Sequence, residues 1–279
     1  MELEHPSGIS AVCIAASSYD DGPNIYTVAT RSPKWIDAEL RTHRMLSQNS
    51  SSSRAIPLKR TIEEIERDPF IPFDWRMNQK GMQGEEQITD IETIRGLRNE
   101  WLDAMYDAAA HATEMSFVHK QHVNRLLEPF TWQMKVITAT EWSNFFNLRI
   151  APGAQPEIFE LAKLIRDAID GAEPVDRSDG SWHLPFVLDE EREELSETDT
   201  LRISAARCAR ISYARHGTDD IDVLKDLELH KGLYAERHLS PFEHQARRLE
   251  VNEESHTTRD GVRWSGNFRG WLQHRKAIE

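Results

Sequence analysis

The residues best suited to chemistry are concentrated between Arg41 and Arg54. This stretch holds three arginines, one histidine, one threonine and five serines, and it contains no acidic residue. Arginine presents a planar fork of N–H groups to phosphate oxygens. Serine hydroxyls and the backbone N–H groups of a turn can complete a cage around an anion. The stretch therefore predicts a phosphate-binding site, with a flexible, solvated serine-rich linker as the alternative.

The neighbouring residues favour the binding site over the linker. Ile36, Ala38 and Leu40 precede the polar stretch, and Ala55 and Ile56 follow it. Apolar residues on both sides are unusual for a linker, so the stretch is expected to lie against folded structure.

The composition is that of a soluble globular protein. The 279 residues are 39% hydrophobic, and 34 basic residues face 47 acidic ones, a net charge of −13. This acidity argues against binding to a nucleic acid polymer, which requires many basic contacts to phosphates. No apolar run approaches the roughly 20 residues that cross a bilayer, and the first residues lack the basic region of a secretory signal. We expect a cytoplasmic protein without a membrane partner.

Two cysteines and three histidines admit other chemistry. Cys13 and Cys208 could form one disulfide, but buried thiols are favoured. Arg207 and Arg210 flank Cys208 and could activate it as a nucleophile, although a buried core thiol is favoured here too. His111, His119 and His122 could hold a metal, but no cysteine or acid completes a set, so surface histidines and no metal site are expected.

The remaining pattern predicts the elements that position these residues. Segments 8–16 and 24–30 read as a β-hairpin, and Pro33 is expected to open a helix that ends near His43 and Arg44. The other expected elements are a long helix at 89–127, a strand at 131–139, helices at 141–148 and from 156, a surface connection at 170–199, helices at 199–214 and 219–233, and a strand, turn and helix over 243–275. Asp219 or Asp220 is expected to cap the helix at 219–233. These elements predict an α+β fold, a mixed sheet flanked by helices, in a single domain over residues 1–279.

Several segments together resemble the flavin-dependent thymidylate synthases. The signature of that family is Arg-His-Arg, seven residues, then Ser, and here Thr42-His43-Arg44 is followed after seven residues by Ser52. Further resemblances lie in the segments Asn124–Pro129, Asn144–Ile158, Ala206–Tyr213 and His238–His244. The last two segments precede the signature in most members and follow it here. The chain therefore resembles a circularly permuted, phage-type member, which is tolerable where termini lie close together.

The resemblance implies roles for individual residues. Arg149 would lie against the uracil ring of deoxyuridylate (dUMP) as the catalytic residue. The phosphate and sugar would be held by Ser50, Ser51, Ser52, Ser53, Arg54 and Arg125. The flavin would be held by His43, Arg44, Asn49, Asn144, Ser212, His238 and Ser240. A second triplet, Gln273, His274 and Arg275, is an additional candidate for flavin contacts, because Thr42 stands in place of the first signature arginine.

The resemblance also implies the reaction and the partners. Members methylate dUMP to dTMP with a carbon unit from 5,10-methylenetetrahydrofolate and a hydride from FAD reduced by NADPH, and they are homotetramers with shared sites. Two other departures, Ser50 in place of Glu and Glu39 in place of Gln, leave alternatives open. These are a related flavin- and folate-dependent pyrimidine-nucleotide hydroxymethylase and a non-catalytic nucleotide-binding homologue.

Overall fold

The fold is built around one mixed sheet. The computed structural model describes residues 2–81, 84–211, 222–259 and 261–279. The strands of the main sheet are β1 Leu3–Glu4, β2 Ser10–Ser18, β3 Ile25–Pro33, β4 Ser47–Ser50, β5 Trp132–Ala139 and β6 Val175–Asp176. Their order is β1-β2-β3-β5-β4, all antiparallel, while β6 pairs with β2 in parallel. Strands β2 and β3 pair antiparallel, which confirms the β-hairpin predicted from the sequence.

Helices make up much of the rest of the described chain, and α6 packs on the sheet. They are α1 Asp37–Leu40, α2 Leu58–Arg67, α3 Ile91–Glu114, α4 Lys120–Val123, α5 Ser143–Arg149, α6 Pro156–Asp170, α7 Asp189–Glu194, α8 Glu197–Arg210, α9 Val223–Ala235 and α10 His274–Ile278. The predicted α+β class is confirmed. Within the described residues, no helix is long and apolar enough to cross a membrane.

Two small sheets complete the C-terminal part of the chain. Their strands are β7 Ala246–Arg248, β8 His256–Thr257, β9 Arg263–Ser265, β10 Phe268–Arg269 and β11 Trp271–Gln273. Strand β11 pairs with β7, and β9 lies between β8 and β10. Trp271 is fully buried, and its indole donates to the carbonyl of Pro23 at 2.7 Å, which fastens this part to the β2–β3 turn.

The main core lies between the sheet and α6. Helix α6 buries Ile158, Leu161 and Ile165, which recur at the spacing of one helix face, against Val28 and Ile137 of the sheet. A second core packs α3 against α2 and the chain after α4. Burying these apolar faces holds α5, which follows β5, against the loop after α1.

Two predicted helices are shorter than expected. Pro33 ends β3, where it pairs with Trp132, and it also caps the helical segment that was expected to begin there, which is shorter than predicted. Only a 3-10 turn and the four residues of α1 follow. The long helix expected at 89–127 stops at Glu114, because the chain turns so that Val118 can pack against the second core.

The segment 170–199 is only partly a surface connection. Trp182, His183 and Leu184 are buried, and His183 forms a β-bridge with Ala246. The helix expected at 219–233 is α9, and its cap is Asp222, whose carboxylate accepts from the backbone of Leu224 and Lys225. Asp219 and Asp220 lie outside the described residues.

Candidate functional site

Arg149 lies at the centre of a group of polar side chains that we call the Arg149 cluster, formed by Glu39, Thr42, His43 and Arg149. Its Nε donates to His43 Nε2 at 2.8 Å, and its Nη1 donates to the Glu39 carboxylate at 2.9 Å. Its Nη2 makes a longer contact, 3.4 Å, with Thr42 Oγ1. Arg149 is the last residue of α5, where a cation is favoured by the helix dipole. The sequence-predicted residues His43 and Arg149 are thus brought together.

The geometry determines the protonation of His43. An arginine N–H can only donate, so His43 Nε2 must be the acceptor and the ring proton lies on Nδ1. Burial lowers the pKa of His43, and the positive charge of Arg149 lowers it further. The ring also packs edge-on against Phe145 at 4.9 Å. His43 is therefore a neutral residue that orients the guanidinium.

Two cavities are lined in part by residues of α1 or directly after it, Glu39 in one and Arg41 in the other. We call the first the tryptophan cavity, with a volume of about 670 Å³. Its walls include three tryptophans and the Glu39–Arg149 ion pair, together with the start of α6. The residues that bear on its chemistry are Trp35, Trp75, Trp101, Glu39, Asp74, Arg76, Arg149, Gln155 and Glu157.

We call the second the serine cavity, with a volume of about 300 Å³. It collects four of the residues predicted from the sequence, although they come from distant parts of the chain: Asn49, Ser50, His238 and Ser240. Arg41 adds a cation, while Leu229, Leu233 and Pro241 add apolar walls. Ser212, predicted to contribute to the same site, lies outside the described residues.

This donor set fits part of a flavin nucleotide. A guanidinium, an amide, hydroxyls and an imidazole suit diphosphate oxygens, and leucines suit a ring edge. The volume is at the lower end of ligand pockets, so the cavity can hold a part of FAD and not the whole molecule.

A buried lysine supports the rim of the serine cavity, and sequence reasoning missed it. Lys135 in β5 is fully buried, and its ammonium donates to Asp37 and, at 2.9 Å, to Gln48. Asp37 also accepts from Arg41 Nε at 2.8 Å, and Arg41 in turn donates to Ser50 Oγ at 2.7 Å. Burial lowers the pKa of Lys135 to about 8, although Asp37 opposes the shift. A lysine among the apolar residues of a central strand was the available signal.

The serine run does not form one anion cage. Ser47–Ser50 is the edge strand β4, so the linker alternative is wrong for these residues. Ser51 is buried, and its hydroxyl accepts from the Met134 backbone, while Ser53 donates to Glu128 at 2.7 Å. The hydroxyls therefore point in different directions, because β4 ends at Ser50 and the chain turns at Ser53.

Two predicted phosphate ligands meet at Glu128. Its carboxylate accepts from Ser53 at 2.7 Å and from Arg125 at 2.6 Å. Arg54, the residue after Ser53, is exposed. A phosphate bound by Ser53 and Arg125 would have to displace Glu128, which is a cost that the sequence did not reveal.

The other predicted ligands are at the surface or in the interior. Arg44 and Asn144 are exposed. Gln273 is 2% exposed, and its amide donates to Ser47, Glu243 and Asn267.

The rest of the C-terminal triplet is similarly engaged. His274 packs between Trp182 and Phe242, and Arg275 pairs with Glu243 and Glu279. The fold uses the Gln273 amide internally, whereas His274 Nδ1 is buried without a hydrogen-bond partner among the described residues. That this triplet contacts a flavin stays a prediction. The triplet at 42–44 lies beside Arg149.

Cysteine and metal chemistry have no geometric support in the described residues. Cys208 is fully buried, and burial raises its pKa, so it lacks the thiolate character of a nucleophile. Both cysteines are free thiols. Across the described ranges, no three histidine, cysteine or acidic residues are arranged to hold a metal ion. His119 instead caps α4 by accepting from the Gln121 backbone.

The comparison with protein families identifies the chain. Residues 25–175, more than half of its length, match the family model described as thymidylate synthase complementing protein. The chain belongs to this family. The match covers β3, the Arg149 cluster and α6. It does not extend to the segments at 206–213 and 238–244, so the circular permutation stays a prediction.

Comparison with solved structures finds proteins that are similar over part of this chain. One of them is a UMP/dUMP methylase PolB from Streptomyces cacaoi bound with 5-Br dUMP, at 18% identity and a TM-score of 0.42. The alignment covers 52% of this chain and 66% of that chain, just under two thirds of its length. A search of curated proteins found no match to this chain.

Proposed function

We propose that the protein methylates dUMP to dTMP, with FAD as cofactor, NADPH as its reductant and 5,10-methylenetetrahydrofolate as the carbon donor. The observation that carries the proposal is the position of Arg149 next to the signature triplet, inside the segment that matches the family. Bound FAD would supply the hydride, and the protein's residues would bind and orient the reactants.

In this proposal Arg149 acts on the pyrimidine. Its guanidinium would stabilise the negative charge that develops on the ring as the carbon nucleophile forms. His43 orients the guanidinium through the hydrogen bond to its Nε, and dUMP would compete with Glu39 for the remaining N–H groups. Ser53, Arg54 and Arg125 would hold the nucleotide phosphate once it displaces Glu128.

The serine cavity would hold part of the FAD. Asn49, Ser50, His238 and Ser240 converge there with Arg41, and Lys135 fixes Arg41 through Asp37. Arg44 and Asn144 are exposed, which suits contacts to a ligand shared with a second copy of the chain.

A homotetramer with shared sites belongs to the proposal. Its support is the family match together with the exposure of Arg44 and Asn144, two predicted flavin ligands whose contacts a second copy of the chain could complete. Light scattering on the purified protein tests it, and a monomer at assay concentration contradicts it.

The first experiment combines colour with substitution. The purified protein should show a flavin absorbance band that NADPH bleaches. Arg149→Ala should retain the flavin band and the fold but lose turnover. Arg166→Ala, at an exposed arginine of α6 paired with Asp167, should retain the flavin band, the fold and turnover. A protein that binds no FAD, or an Arg149→Ala enzyme of near-normal rate, contradicts the proposal.

A second candidate is a non-catalytic nucleotide-binding protein. It is favoured by the carboxylate of Glu39, which pairs with Arg149 and would offset the positive charge that the reaction needs without occupying the predicted phosphate ligands. Calorimetry that shows tight dUMP binding, together with no product when FAD, NADPH and methylenetetrahydrofolate are present, would select it.

A further inference from the structure

We propose that a cavity beside β2, which we call the arginine cavity, binds a phosphate group. Its volume of about 300 Å³ suits a small anion and is at the lower end of ligand pockets. Its walls come from the middle of β2, the chain after α6, and α7. The residues that bear on its chemistry are Cys13, Glu173, Arg177, Asp189 and Arg192, and none of them has a role in the proposed reaction.

Arg177 brings unused hydrogen-bond donors to this cavity. It follows β6 directly and is partly buried. Its Nη1 makes one long hydrogen bond, 3.4 Å, to Ser181 Oγ, and its Nε is buried without a partner in the described chain. A guanidinium carries five N–H groups, and leaving such donors unpaired away from water is costly. Arg177 therefore lacks the acceptors that its position calls for.

Arg192 lines the same cavity from α7. Its Nη1 and Nη2 each donate to a backbone carbonyl, those of Trp182 and Leu184, both at 3.2 Å. These two bonds fix the orientation of the guanidinium and leave three of its five N–H groups for another acceptor.

The positive charge of the two arginines is not neutralised locally. Among the described residues, neither guanidinium is paired with a carboxylate, and the two acids of the cavity, Glu173 and Asp189, are exposed to solvent, which screens them. Burial lowers the pKa of Arg192, and the charge of Arg177 lowers it further, although Asp189 opposes the shift. After burial, the same two arginines are the main causes that lower the pKa of His183. An anion between the guanidinium groups would relieve this repulsion.

The edge of the main sheet is open at this cavity. Strand β2 pairs with β1 as far as Ala11 and with β6 from Ser17, so in the described chain residues 12–16 have no strand partner on that side. The pairing of β2 with β3 is also irregular here, with a β-bulge between Cys13 and Ala15. Bulges are frequent next to binding sites, and free backbone N–H groups can bind anions together with arginines.

These features favour a phosphate group over other anions. A phosphate monoester carries about −1.5 to −2 charges near pH 7, and its three terminal oxygens can accept from donors on different sides. The two guanidinium groups belong to different segments and supply such donors. A chloride ion or a single carboxylate would match fewer of them. Inorganic phosphate and a phosphate monoester both present this group, and the experiment separates the two sources.

Calorimetry at constant ionic strength in sodium chloride measures the binding of inorganic phosphate and of glycerol 3-phosphate, and the tighter ligand identifies the source. Arg177→Ala should weaken the binding of that ligand about tenfold or more, because charge-assisted hydrogen bonds are lost. The matched control is Arg166→Ala, at the exposed arginine of α6, which should bind like the wild type. This pair of variants separates the arginine cavity from the proposed nucleotide site, which also binds phosphate.

Cys13 reports directly on the cavity. It is partly buried in the cavity wall, and burial raises the pKa of its thiol to about 11. A bound anion would cover the thiol and raise its pKa further, so saturating phosphate should slow alkylation of Cys13 by iodoacetamide about threefold or more. Mass spectrometry of the Cys13 peptide measures the rate, and Arg177→Ala should remove the protection.

Three results would overturn the inference: no binding of either ligand, equal binding to the wild type and Arg177→Ala, or an unchanged rate of Cys13 alkylation at saturating phosphate. Circular dichroism checks that each variant is folded. If Arg177→Ala does not fold, the protection of Cys13 in the wild type decides the question. Neither readout depends on methylation of dUMP, so failure of the proposed function would leave both unaffected.

Discussion

Acidification should destabilise this protein through two fully buried histidines. Both ring nitrogens of His183 are hydrogen-bonded, Nδ1 with Ser17 Oγ at 2.9 Å and Nε2 with Thr27 Oγ1 at 2.8 Å. Thr27 contacts Thr138 at 2.7 Å, and Thr138 contacts His244 Nδ1 at 2.8 Å. Burial lowers the pKa of each histidine to about 3. A proton added to either ring would be buried beside groups already engaged.

The sign and size of the effect follow from these pKa values. The folded-state pKa of each histidine lies below the unfolded-state value of about 6.5. The free energy of unfolding therefore keeps its full value above about pH 6.5 and decreases as the pH falls towards the folded-state pKa. At about pH 5 the unfolded state binds nearly one more proton per histidine, which costs about 2 kcal/mol for each. The loss of about 4 kcal/mol is a large part of a typical free energy of unfolding of about 5–15 kcal/mol.

Urea unfolding at a series of pH values measures this loss. His183→Gln should reduce the decline between about pH 7.5 and about pH 5 by about 2 kcal/mol, because one of the two histidines no longer titrates. His111→Gln, at a histidine whose side chain is 71% exposed, is the matched control and should decline like the wild type. The reasoning is refuted if the wild-type and His183→Gln curves are parallel over this range.

Three other predictions concern the site and its support. Lys135→Met should lower the free energy of unfolding by about 1–2 kcal/mol, since it removes the charged hydrogen bonds of Lys135 while Asp37 keeps Arg41 as a partner, and chemical denaturation measures it; a change near zero contradicts it. Glu39→Gln should tighten dUMP binding about threefold in calorimetry, because a partly exposed charge no longer competes for Arg149, whereas weaker binding would show that Glu39 assists the nucleotide. A thiol reagent should leave Cys208 unlabelled in the folded protein and label both cysteines after unfolding, since burial raises the pKa of both thiols, that of Cys13 to about 11; rapid labelling of Cys208 would contradict its assignment to the core.

Local patterns predicted much of the fold. The β-branched and turn residues predicted the hairpin of β2 and β3, and the helical spacing predicted the helix from Pro156. Both elements are present. The burial of His183 did not follow, because it depends on contacts with Ser17 and Thr27, more than 150 positions away in the chain.

The candidate site was predictable by residue type and less so by geometry. The likeness to a family signature singled out His43 and Arg149, and the structure places them 2.8 Å apart. It did not reveal that Glu39 and Glu128 engage Arg149 and Arg125, or that Gln273 is buried. Such pairings arise from packing between distant segments, which a signature read along the chain does not contain.

Mass spectrometry of the nucleotide product tests the central claim most directly. The purified protein is incubated with dUMP, FAD, NADPH and methylenetetrahydrofolate labelled in its one-carbon unit. The account predicts dTMP that carries the label in its methyl group, formed by the wild type and not by Arg149→Ala. Unchanged dUMP from a protein that binds both FAD and dUMP, or a hydroxymethylated nucleotide in place of dTMP, would contradict it.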